Sequence, residues 1–124
     1  MDSAKGTGRR RSPRLALRVG GSLSGRSPRE VIAVDLSLTG CLVRCPTLLD
    51  HGAILDLQLE LEDGPLSAKV RVTETSLDGE RAPGAPPQYL TGLQFLGLPA
   101  KGAARLRRLL DEVRRRRSAD AAAH

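Results

Sequence analysis

Aromatic side chains are nearly missing from this chain: its 124 residues include one Phe, one Tyr and no Trp. Aliphatic side chains must therefore build the core, and the exposed rings on which single-stranded nucleic acid stacks are not available in number. Histidine is almost as scarce. His51 and the terminal His124 are the only two, neither stands beside a nucleophile in sequence, and both read as solvated residues, so a catalytic triad is not expected. Cys41 and Cys45 are the only cysteines. They fall four apart in a segment that reads as a strand, where four residues span roughly 13 Å. That excludes a mutual disulfide and shared ligation of one ion, and both read as small core residues on one face. No phosphate-loop or dinucleotide fingerprint is present, because Gly6-Thr7-Gly8 lies in a tail with no strand before it. No apolar run approaches the roughly 18–20 residues that span a bilayer, and the N-terminus lacks the apolar stretch of a secretory signal. The expectation is a protein that is not an enzyme, holds no metal or cofactor, does not insert in a membrane and resides in the cytoplasm.

What is present is enough aliphatic residue for one compact domain with one core, and too little for two. The formal net charge of +6 is unevenly spread. Arg9, Arg10, Arg11, Arg14 and Arg18 crowd the start, Arg114 to Arg117 crowd the end, and the middle from Asp50 to Glu62 is acidic. Clustered positive charge points to an anionic partner, whether a phosphate ligand, nucleic acid, a membrane surface or an acidic protein.

Periodicity organises the rest. Residues 1–8 read as a flexible tail, and the arginine run over 9–14 follows. Leu15, Leu17 and Val19 alternate with Ala16 and Arg18 as in a half-buried strand, and Gly20-Gly21 with the stretch to Pro28 read as a break. Val31-Ile32-Ala33-Val34 is a β-branched run ending in a polar turn, Asp35 to Gly40. Cys41 to Cys45 is a third strand, stopped by Pro46. Leu55, Leu57, Leu59 and Leu61 alternate with Asp56, Gln58, Glu60 and Glu62, the clearest strand of all. Asp63-Gly64 signals a turn, and Leu66, Ala68, Val70 and Val72 mark the return strand. Residues 76–88, rich in Gly and Pro, read as an exposed loop, and Tyr89 to Leu96 as a sixth strand. Pro99 is placed to open a helix, with Leu106, Leu109, Leu110 and Val113 forming one apolar stripe among arginines.

These elements predict an all-β fold: a six-stranded antiparallel β-barrel over 15–96, a C-terminal α-helix over 99–117 packed against it, and a disordered tail over 118–124. Alternating apolar and polar residues argue against a buried parallel sheet.

Two short motifs carry chemistry. Arg10 and Arg14 form Arg-x-x-x-Arg within Arg9-Arg10-Arg11-Ser12-Pro13-Arg14, and Asp35-x-Ser37-x-x-Gly40 occupies the turn between strands two and three. Guanidinium groups donate paired hydrogen bonds to phosphate oxygens or to the O6/N7 edge of guanine. A carboxylate such as Asp35 accepts from the N1–H and N2–H₂ groups of guanine. Ser37 can donate or accept, and Gly40 lets a backbone amide approach a flat base. A ligand with two guanines and two phosphates engages all of them. Taken singly, an arginine cluster near a terminus is a solvated tail, and Asp-x-Ser-x-x-Gly is turn chemistry in which Asp35 and Ser37 bond local amides.

Together, in this order and about twenty residues apart, the motifs resemble those of the PilZ domain family. Gly92-Leu93-Gln94-Phe95-Leu96 is similar to the late Gly-x-x-Phe strand of that family, and the C-terminal helix follows as expected. The resemblance spans nearly the whole chain. It implies a six-stranded barrel that binds cyclic di-GMP on its outer surface, with Arg10 and Arg14 on guanine edges and phosphates, and Asp35, Ser37 and Gly40 on a guanine. Arg9, Arg11 and Arg44 are auxiliary candidates. In such domains the arginine segment wraps over the ligand, and segment ordering is an established switching mode. The output is then expected to pass through an unidentified downstream protein or through self-association into a homodimer. One departure is the lack of a bulky aromatic to pack on a guanine, for which the planar face of arginine can substitute. Two other readings stand beside this one: a PilZ-like adaptor that binds protein and not nucleotide, and a nucleic-acid binder using the basic ends.

Overall fold

The computed structural model describes residues 14–25, 28–79 and 83–123. Six strands, β1 (Leu15–Ser24), β2 (Arg29–Leu36), β3 (Gly40–Cys45), β4 (Ile54–Leu61), β5 (Gly64–Leu77) and β6 (Tyr89–Leu96), precede one long helix, α1 (Ala100–Ala123). Every ladder is antiparallel, and the order β1-β2-β3-β6-β5-β4 closes on itself where β4 pairs with β1. The six-stranded barrel with a C-terminal helix stands as expected.

Alternation sets the inside of the barrel. Val31 and Ala33 of β2, Cys41, Val43 and Cys45 of β3, Leu57 and Leu59 of β4, and Val70 and Val72 of β5 are all buried. The two cysteines are fully enclosed and unpaired, as the strand spacing requires. Leu106 and Leu110 of α1 join the same core. Each such leucine contributes roughly 1.5–3 kcal/mol by leaving water. Arg105 fixes the first half of α1 over the β4–β5 turn, donating to the Asp63 carboxylate at 2.7 Å, to the Gly64 carbonyl at 2.7 Å and to the Pro65 carbonyl at 2.9 Å. The same hydrogen bond holds the Asp63 carboxyl below its usual pKa.

Three elements differ from expectation. The break at Gly20-Gly21 is absent, and β1 runs through it to Ser24. Gly21 lies opposite Leu59 at the closing seam, and a Cβ there would sit 2.5 Å from the Gln58 carbonyl oxygen. Glycine lets β4 come close enough to shut the barrel. Residues 76–88 do not form one exposed loop. Ser76 and Leu77 continue β5 opposite Leu90 and Tyr89, and Asp78 is buried, its N–H donating to the Gln88 carbonyl at 2.8 Å. The helix also passes the expected end at 117 and continues to Ala123. Ala119 and Ala121 to Ala123 are of the residue type with the highest helix propensity, so helix is preferred there over a tail.

Candidate functional site

Both termini of the β2–β3 turn are set by strand pairing. Asp35 lies opposite Leu42, and Leu36, the last residue of β2, lies opposite Cys41. A register shift between Ala33 and Asp35 interrupts the ladder just before the turn, and such bulges re-aim side chains. The Asp35 carboxylate accepts from the Leu42 N–H at 3.2 Å, which ties it to β3. It also accepts from the Arg14 guanidinium at 2.7 Å, across 21 positions of sequence. Arg14, the last residue of the arginine motif, and the polar turn therefore meet at one point on the barrel rim. Arg14 is half exposed and Asp35 about one-fifth exposed. An ion pair in that setting is worth roughly 0.2–1 kcal/mol, small enough for an incoming anion or base to displace.

Ser37 has a different task. It is 1% exposed, and its Oγ accepts from the N–H groups of Thr39 at 3.1 Å and Gly40 at 3.2 Å. The same oxygen lies 3.1 Å from Thr39 Oγ1 and 3.2 Å from the Gly40 carbonyl. These are the contacts of turn chemistry, in which a hydroxyl stands in for backbone partners. Ser37 Oγ thus gathers two amides and fixes the loop that Asp35 enters. The turn is further braced by β6, whose Phe95 N–H donates to the Thr39 carbonyl at 2.9 Å. Gly40 lies opposite Gln94, and a Cβ added to it would lie 2.1 Å from the Leu93 carbonyl oxygen. Its bare backbone is thus required by β6. Thr39 and the Phe95 amide are parts of this arrangement that motif spacing did not single out.

Of the other candidates, Arg9, Arg10 and Arg11 lie outside the described residues. Arg44 faces outward from β3 but is engaged elsewhere, donating to the buried Asp78 carboxylate at 2.7 Å. It walls a groove of about 610 Å³ on the outer face of the barrel, with Gly20, Gly21 and Ile32 on the same wall. Asp78 was missed in sequence because its partner lies 34 residues away.

Cys41 lies beneath this corner. Burial, reinforced by the Asp35 carboxylate and opposed by Arg14, pushes its thiol up to about 12. The sign is clear. The unfolded chain loses that proton near the ordinary value of about 8.5 while the folded chain keeps it, so the stabilising contribution is complete below the unfolded pKa and fades as pH rises toward 12. The native protein is expected to resist thiol-specific reagents at pH 8 and to react fully at both cysteines once unfolded by denaturant. Rapid modification of the native protein would contradict the enclosed geometry.

A closed six-stranded antiparallel barrel with a polar turn on its rim and a helix following its last strand defines a recognisable class. A model of the PilZ domain matches residues 8–112, and the chain belongs to the PilZ domain family. The fold is similar to that of the PilZ domain of YcgR from Escherichia coli, solved with c-di-GMP, at a TM-score of 0.75 and 17% identity, covering 91% of this chain and 97% of that one. It is also similar to the K. pneumonia MrkH–c-di-GMP complex (TM-score 0.71, 22% identity, 90% of this chain and 55% of that one). A third likeness is to the Bacillus subtilis inhibitor of motility MotI/DgrA (TM-score 0.65, 18% identity, 83% of this chain and 52% of that one). The chain thus spans about half the length of the last two. Comparison with curated proteins gives no match. Among the described residues, no helix is long and apolar enough to cross a membrane.

Proposed function

We propose that this protein is a receptor for cyclic di-GMP, and that ligand binding orders its N-terminal arginine segment and thereby changes the surface offered to a partner. One observation carries the reading. Arg14 and Asp35, the last residue of the arginine motif and the first of the turn motif, lie 2.7 Å apart. Paired to each other, they hold the complementary groups that a guanine engages: a guanidinium for the O6/N7 edge and a carboxylate for N1–H and N2–H₂. A bidentate contact of this kind is worth roughly 1–3 kcal/mol of discrimination, more than the exposed ion pair it replaces. Ser37 and Gly40 support the site by shaping the turn and docking it on β6.

In this reading Arg10 joins Arg14 on the ligand, with Arg9 and Arg11 as auxiliary cations and Arg44 supplying charge farther along the outer face. The partner is a downstream protein or a second copy of the chain. Support comes from family membership and from the two relatives whose structures contain c-di-GMP.

Titration calorimetry tests the ligand. Cyclic di-GMP is expected to give a saturable heat, while GTP and cyclic di-AMP give none at the same concentration: GTP carries one guanine, and adenine presents an amine where guanine presents O6. Absence of heat with cyclic di-GMP would remove the receptor reading in favour of a protein-binding adaptor.

A further inference from the structure

The barrel-facing stripe of α1 runs Leu106, Leu110, Val113, with Leu106 and Leu110 buried and Val113 partly so. Steps of four and three residues continue the same face to position 117, where the chain places an arginine. Arg105 is held at the β4–β5 turn, and twelve residues of helix extend roughly 18 Å from it. Arg117 there donates to the Ala16 carbonyl of β1. Ala16 is the cross-strand partner of Asp35 and stands two residues after Arg14. The β1–β2 ladder also shifts register between Ala16 and Val19, so the helix ends its crossing at an irregular point of the rim, beside the Arg14–Asp35 pair.

The charge balance there is unequal. Arg114 and Arg116 have carboxylate partners on the helix itself, Asp111 at 3.3 Å and Glu112 at 3.7 Å. Arg117 has a neutral carbonyl as its partner. The rim at Ala16 and its cross-strand partner Asp35 therefore receives two guanidinium groups, Arg14 on Asp35 and Arg117 on Ala16, against the one Asp35 carboxylate, an excess of positive charge suited to a phosphate. A guanidinium carries five N–H donors in a planar fork, so Arg117 can add a phosphate oxygen to its present contact or exchange one for the other.

We infer that Arg117 is a ligand-binding residue: α1 delivers its guanidinium to the site formed by Arg14 and Asp35, where it takes a phosphate of the bound dinucleotide. The inference rests on the receptor reading and deepens it, because a helix contributing to the pocket also couples its own position to occupancy.

Calorimetric titration of cyclic di-GMP into wild type and into Arg14→Ala, Arg116→Ala and Arg117→Ala separates the possibilities, with thermal melting of each. Loss of a charge-assisted hydrogen bond is expected to weaken binding by about 10-fold in Arg117→Ala. Arg116→Ala makes the same change in net charge on the same helix and is expected to change affinity less than about twofold, as a surface charge already paired. Equal, small effects of the two substitutions would reduce Arg117 to background charge. A lowered Tm with unchanged affinity would make it a clamp for the helix only. Either result, with wild type binding and Arg14→Ala deficient, overturns this inference alone; no binding by wild type overturns the receptor reading as well.

Discussion

Arg14→Ala is expected to weaken cyclic di-GMP binding by about 100-fold while leaving the fold intact. In the proposed receptor the substitution removes the guanidinium that would meet the guanine edge, a charge-assisted contact worth up to roughly 3 kcal/mol, and each 1.4 kcal/mol is tenfold in affinity. It also leaves the Asp35 carboxylate without the cation now 2.7 Å from it, so the ligand phosphates meet less compensated negative charge. The cost to folding is small, because an exposed pair contributes at most about 1 kcal/mol. Calorimetry and thermal melting on the same preparation check both halves. A variant that binds as tightly as wild type would place the ligand elsewhere on the barrel.

Gly40→Ala is expected to act the other way, through stability first. A methyl at this position meets the Leu93 carbonyl oxygen at 2.1 Å and the Gln94 Cα at 3.2 Å. Both are backbone atoms of the central β3–β6 ladder and cannot rotate aside as a side chain would. Overpacking of this sort costs roughly 1–3 kcal/mol or more, which for a domain of this size lowers Tm by about 5–15 °C. The damage also reaches the site, because Ser37 Oγ is hydrogen-bonded to the Gly40 N–H and the whole turn hangs on that residue. Thermal melting is the check. A Tm within about 2 °C of wild type would show that β3 and β6 can separate at this point without loss.

The two variants divide the motif by physical role. Arg14 and Asp35 present exposed, mutually paired charges, whereas Ser37 and Gly40 are enclosed. A signature such as Asp-x-Ser-x-x-Gly mixes both kinds of residue, since a carboxylate can be aimed at a ligand only from a turn of fixed shape. In this protein the hydroxyl and the glycine create that shape. Phe95 carries a third share of it, its side chain in the core and its N–H on the Thr39 carbonyl. This gives the late Gly92–Leu96 segment a physical reason to accompany the turn motif.

Strands whose pattern depends only on inside against outside were legible in sequence. Leu55 to Glu62 shows its alternation without help from other segments, and so do Leu66 to Val72. Reading failed where a neighbouring strand decides the outcome. Gly20-Gly21 resembles a break until β4 is known to press on Gly21, where a Cβ would lie 2.5 Å from the Gln58 carbonyl oxygen. Asp78 resembles a loop residue until the order β3-β6-β5 brings Arg44 to it. The Arg14–Asp35 contact was legible only as a conjunction of two motifs, neither informative alone. Arg117 was hidden by 101 residues of separation from Ala16, although the spacing of Leu106, Leu110 and Val113 carries the signal: the next residue on that face is charged.

Receptor function requires the arginine leader and the β2–β3 turn to form one pocket for a dinucleotide. Amide spectra of nitrogen-labelled protein titrated with cyclic di-GMP test that most directly. Shifts are expected to concentrate at Arg14 to Leu17 and Leu36 to Leu42, with Leu48 to Ala53 at the other end of the barrel unmoved. Shifts confined to that far end, or a spectrum unchanged at saturating ligand, would contradict that single pocket.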